Sequence, residues 1–252
     1  MIMQTTRVSI NNKIDANFIK IISILYHKKR LMETRNRGIY RKVRLLRLWV
    51  IFVIMKVMKS YNTLNDYYRK LFGEKTFKVP IDAGFDCPNR DGTVAHGGCT
   101  FCTVSGSGDA IVAPDAPIRE QFYKEIDFMH RKWPDVQKYL VYFQNFTNTH
   151  EKVEVIRERY EQAINEPGVV GINIGTRPDC LPDETIEYLA ELSERMHVTV
   201  ELGLQTTYET TSDLINRAHS YELYVETVKR LRKYPKIEIV SHLINGLPGE
   251  TH

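Results

Sequence analysis

The chain has 252 residues, 42% of them apolar and 26% charged, enough for one sizeable core or two small ones. Four cysteines are too few for a disulfide scaffold, and their clustering points to a metal or redox site in a reducing, cytoplasmic compartment. The net charge of +4 is uneven: residues 1–57 carry thirteen Lys or Arg against Asp15 and Glu33, which leaves residues 58–252 at −7 and without an electrostatic footprint for nucleic acid.

Residues 1–57 hold a basic stretch, HKKRLMETRNRGIYRKVRLLR, followed by LWVIFVIMKVM. The uninterrupted apolar run, Leu48 to Met55, is eight residues, against the ~20 that a spanning helix needs. No stable membrane span is expected, and there is no signal-peptide pattern. Three readings stay open: a membrane-surface or partner-binding arm, a disordered extension, or a segment not native to the protein, since ordinary composition begins at Met58. The expected division is a basic extension over 1–57 and a core over 58–252.

From residue 76 the chain alternates. FKVPI (77–81) reads as a strand, followed by a glycine-bearing cysteine loop. Ile118, Phe122, Ile126, Met129 and Trp133 recur at helical spacing, with Pro117 placed to open that helix. YLVYF (139–143) is a second strand, residues 151–165 a helix ended by Gly168, and VVGINI (169–174) a third strand. Residues 182–195 form a helix with acidic residues in its first turn, and VTVELGL (198–204) a fourth strand. Tyr221, Tyr224, Val225, Val228 and Leu231 mark another helix before IEIVSHLI (237–244), the fifth strand.

Five strands with helices between them and no hairpin signal predict an α/β fold of parallel βα units, in a barrel or an open doubly wound sheet. Both place ligands at the carboxyl ends of the strands. There stand the loops CPNRDGTVAHGGCTFC, QNFTNTH, GTRPDC, QTT and NGLPGE.

Cys87, Cys99 and Cys102 have the spacing C-x11-C-x2-C, over a loop containing Gly92, Gly97 and Gly98. Three readings are open. With His96 as a fourth ligand the cysteines make a Cys3His zinc site. They also suit an iron–sulfur cluster with one iron left free for a substrate or cofactor. The third reading is a chance group of thiols. Cys180, 78 residues after Cys102, could close the set but reads as a small apolar loop residue.

With these cysteines stand NTLNDYYRKLFGEKTFKVPIDAGFDCPNRDG, FQNFTNTH, TRPDCLPDE, ELGLQT and INGLPGET, in that order. Together they resemble the radical S-adenosylmethionine (SAM) superfamily, in a bacterial subgroup similar to the radical SAM domain of the Elongator catalytic subunit. The likeness runs from about Tyr61 to His252, although the cysteine spacing departs from the superfamily's usual C-x3-C-x2-C.

The resemblance implies a partial (βα) barrel of about five parallel strands, ending before the sixth. It implies a [4Fe–4S] cluster on Cys87, Cys99 and Cys102, SAM as the second cofactor, and reductive cleavage of SAM to a 5′-deoxyadenosyl radical. Phe101 would lie near the adenine, as would Ile244 and Gly246. Gln205 matches a polar SAM contact and Arg217 an arginine that pairs with the SAM carboxylate. Glu201 matches a ribose ligand or a barrel-wall carboxylate. Two departures shift other contacts. Gly175 and His242 stand where relatives have acids, which moves ribose recognition toward Thr176 or Arg177. FTNTH replaces the usual Gly-Gly-Glu, so backbone groups from Asn145 to Thr147 would take the SAM amine. The implied partners are an electron donor such as flavodoxin or ferredoxin and, by analogy, tRNA or another RNA. A zinc-stabilised binding module and an inactive truncated fragment are the alternatives.

Overall fold

The computed structural model describes residues 61–106 and 111–250, so the expectations for residues 1–57 lie outside it. Residues 67–250 belong to one compact unit, which holds the fold that follows apart from the first three residues of its opening helix.

Helix α1 (Leu64–Phe72) leads into β1 (Thr76–Ile81), α2 (Ile118–His130), β2 (Lys138–Phe143), α3 (Val153–Ile164) and β3 (Val169–Thr176). After a 3₁₀ turn at Pro178–Cys180 come α4 (Asp183–Ser193), β4 (His197–Gln205), α5 (Glu209–Leu214), α6 (Tyr221–Leu231) and β5 (Ile237–Leu243). Helix α2 stops short of Trp133, because Pro134 disfavours helical backbone at the residue before it. The Trp133 ring packs instead at 5.3 Å from Phe77.

The five strands form one sheet in the order β1-β2-β3-β4-β5, every neighbouring pair parallel. A doubly wound sheet reverses its order at a switch point. Here the order never reverses, so the sheet is a segment of a barrel. Right-handed crossovers then put the connecting helices on one side. The core lies there: Phe77, Val79 and Ile81 of β1, Val141 and Phe143 of β2, Ile172 and Ile174 of β3, and Val198, Val200 and Leu202 of β4 face the apolar stripes of α2, α3, α4 and α6. Phe143 stacks on Tyr160 of α3 at 4.5 Å and 17°.

Side chains alternate across a strand, so the residues between these point to the other, concave face. They include Lys78, Tyr142, Asn173, Glu201 and His242, charged and polar groups that an ordinary apolar core would exclude.

Candidate functional site

The loop after β1 wraps on its own carbonyls. Arg90 and Asp91 donate their amides to Cys87 O at 2.7 and 3.1 Å, Gly98 donates to Asn89 O at 2.8 Å, and Cys102 to Cys99 O at 3.0 Å. Gly98 has φ +76°, and a Cβ there would lie 2.8 Å from Arg90 Nε, so glycine lets the loop close over the arginine. Cys99 and Cys102 share a hydrogen bond that draws the Cys99 thiol down to about 6 and pushes Cys102 up. Arg90 adds positive charge to both. Its guanidinium lies 5.3 Å from the Phe146 ring and donates to the Val104 carbonyl at 3.1 Å.

The loops after the next strands close the rim. Asn145 donates to Asp82 Oδ2 at 2.6 Å, and the buried hydroxyl of Thr147 has no hydrogen-bond partner. Thr176 pairs its hydroxyl with Thr149 at 2.6 Å. Arg177 makes a two-pronged ion pair with Asp179 at 2.9 and 2.7 Å and donates to Arg217 O at 2.8 Å. Arg217 is fully buried. Its Nη1 donates to the carbonyls of Leu204 and Thr206 at 2.6 and 2.5 Å and its Nε to His219 O at 3.0 Å, while Nη2 has no hydrogen-bond partner and a carboxylate, Glu209, only at 3.6 Å. Burial, then the charges of Arg177 and Arg217, push His219 down to about 4.

Among the described residues, the non-glycine positions with left-handed backbone are Phe146, Gln205, Asn216 and Ala218, with φ from 53° to 60°. All four stand on this rim. Such backbone costs about 1–2 kcal/mol per residue and collects where function fixes the geometry.

Below the rim, the concave face centres on Glu201, 3% exposed. It accepts from Asn173 Nδ2 and His242 Nε2, each at 2.8 Å, and from Lys78, whose ammonium lies 4.3 Å from the Tyr142 ring. Burial opposes its charge, but His242 and Lys78 outweigh it and hold the carboxyl at about 2. Burial and the Glu201 charge push Tyr68 and Tyr142 up.

One cavity brings together Cys87, Cys99, Cys102, Phe101, Thr147, Thr176, Glu201, Gln205 and Arg217. Asn145, Ile244 and Gly246 do not line it, although Ile244 donates its amide to Gln205 O at 2.9 Å. Among the described residues no three His, Cys, Asp or Glu side chains stand close enough to clasp a single metal ion. His96 is exposed, with its ring over Gly92. Cys180 is buried 4.0 Å from His150 Nδ1, and burial pushes its thiol up.

Sequence reasoning missed Arg90, Phe146, Tyr142 and His219 as cavity residues, and Asn89 behind Cys99. Tyr142 carried a usable signal, since strand alternation puts it opposite Val141 and Phe143.

The sequence profile of the radical SAM superfamily matches residues 90–252. The chain is 57% identical over 192 residues to the uncharacterized protein YtqA of Bacillus subtilis, covering 76% of this chain and 59% of that one. It is 39% identical over 197 residues to protein YhcC of Escherichia coli, covering 78% and 62%. It thus spans less than two thirds of the length of either relative. A more distant match, 29% identical over 167 residues, is the tRNA-2-methylthio-N(6)-dimethylallyladenosine synthase of Thermodesulfovibrio yellowstonii, with 61% of this chain and 35% of that one covered. The chain belongs to the radical SAM superfamily. No helix of the described residues is long and apolar enough to cross a membrane.

Proposed function

We propose that the chain holds a [4Fe–4S] cluster on Cys87, Cys99 and Cys102 and SAM beside it, as a cytoplasmic radical SAM enzyme acting on RNA. One observation carries the reading: three cysteines, an arginine with a spare buried guanidinium nitrogen and a threonine with a spare buried hydroxyl line one cavity at the carboxyl ends of the strands. Thiolates on a cluster bind different irons, so they need not converge as the ligands of one ion do. When bound, such a cluster supplies the electron that splits the sulfonium and frees a 5′-deoxyadenosyl radical to take hydrogen from substrate.

The side chains have separate tasks. Arg217 is fixed by three carbonyls, so its free Nη2 is pre-aimed for a carboxylate. Thr147, with the backbone from Asn145, offers oxygen to an ammonium. Phe101 gives the adenine an aromatic face. Gln205 and Thr176 stand for the ribose. Glu201 has both carboxylate oxygens taken by the chain's own donors, which favours the barrel-wall role over ribose contact. Similarity to the tRNA-modifying relative leads to RNA as substrate, with a flavodoxin or ferredoxin as electron donor.

Anaerobic reconstitution with iron and sulfide tests this. The protein should turn brown and, given reductant, convert SAM to 5′-deoxyadenosine. Alanine at position 87, 99 or 102 should abolish the colour, and Cys180→Ala should keep it. Stoichiometric zinc without visible absorption, or colour lost with Cys180→Ala, overturns the assignment.

A further inference from the structure

We infer that Asn89 is a positioning residue that ties the cysteine loop to the turn carrying Arg217, so that cluster and SAM sites are set by one side chain. The inference rests on the function proposed above. Asn89 is fully buried, two residues after Cys87. Its amide nitrogen has two N–H groups and two acceptors: Cys99 Sγ at 3.4 Å and the carbonyl of Asn216 at 2.5 Å. The Asn216 carbonyl can only accept, which fixes the orientation of the amide.

Asn216 reciprocates. Its Nδ2 donates to the carbonyls of His96 and Gly98 at 3.1 and 2.8 Å, and Thr100 donates its amide to Ile215 O at 3.0 Å. These bonds join segments more than a hundred residues apart, outside the sheet. They are made at a strained place: Asn216 and Ala218, either side of Arg217, have φ of 53° and 60°. Left-handed backbone persists only where its surroundings over-determine it. The Asn89 and Asn216 amides supply that determination, and with it the direction in which Arg217 leaves the chain.

The bond to Cys99 has an electronic consequence. An N–H aimed at a ligand sulfur draws charge from it and favours the more negative, reduced state of a cluster. Asn89 therefore acts on the electron and on the arginine together, whereas the Asn216 side chain ties the same two segments through carbonyls and makes no bond to a ligand sulfur.

Two variants separate these roles in the reconstituted full chain, with fold checked by circular dichroism. Asn89→Ala should lower the cluster's midpoint potential in an EPR-monitored titration and weaken SAM binding by roughly tenfold, read by calorimetry without turnover. Asn216→Gly keeps the carbonyl that Asn89 binds, and glycine tolerates its backbone. It should weaken SAM binding and leave the potential where it was. If Asn89→Ala does not fold, Asn89→Ser takes its place: one donor instead of two should lose one readout and keep the other. An unchanged potential in the folded Asn89 variant, or full SAM affinity in Asn216→Gly, overturns the inference. A wild-type chain that takes no iron sinks the proposed function instead.

Discussion

On the helix side of the sheet the strands present Val79, Val141, Ile172, Val200 and their neighbours, all fully buried and apolar. On the other side the same strands present Lys78, Tyr142, Asn173, Glu201 and His242. A parallel sheet covered on both faces reads as continuous apolar strands. Here the alternation survives because the crossovers cover one face only and leave the other to polar groups that pair around Glu201, with Asn173 Oδ1 left unpartnered. Apolar packing holds the first face, and a neutralised charge network holds the second. The comparison teaches that the two faces of one sheet are held by different forces.

The comparison can be broken from either face. Phe143→Ala removes a fully buried ring from the helix side and should cost about 3–5 kcal/mol in urea unfolding. A loss below 1 kcal/mol would mean that this face is not the core.

Next comes Glu201→Gln. The Glu201 carboxyl sits at about 2 against an ordinary 4.5, so its charge adds about 3 kcal/mol to stability at neutral pH. A depressed folded value means that this term is full above 4.5 and disappears as pH falls through about 2. The stability gap between wild type and variant should therefore roughly halve by about pH 3. A gap independent of pH would show that the charge of Glu201 does not hold the concave face.

A smaller effect runs the other way. Gln205→Gly relieves a φ of 59° and should raise stability by about 1 kcal/mol while weakening SAM binding. Stability and affinity rising together would remove the link between rim strain and function. Smallest of all, Glu191→Ala breaks an exposed pair with Arg157, 2.9 Å long, and should cost under ~1 kcal/mol and leave the cavity untouched.

Much of the scaffold could be read from sequence because strand alternation and helical spacing are local. VTVELGL already separates Val198, Val200 and Leu202 from Glu201, and the structure keeps that division. The strand order was not legible, since a barrel and a doubly wound sheet share the same βα pattern. Helix α5 escaped notice because its six residues, ETTSDL, carry no apolar period. Within the site, the C-x11-C-x2-C spacing and the motif order drew attention to residues of five separate loops and strands that now line one cavity. Asn89 and Arg90 were hidden, because their partners lie far along the chain or on backbone carbonyls that no spacing rule reaches.

The buried Cys180 has a practical use. Its thiol is buried, whereas the three loop sulfurs are only part-buried, so it is shielded from alkylating reagents in the folded chain. Iodoacetamide should therefore tag up to three sulfurs in iron-free protein, none once the proposed cluster is in place, and all four only after denaturation. Counting carbamidomethyl groups by mass thus gauges how fully a preparation is loaded, with the fourth sulfur reporting whether the chain has opened.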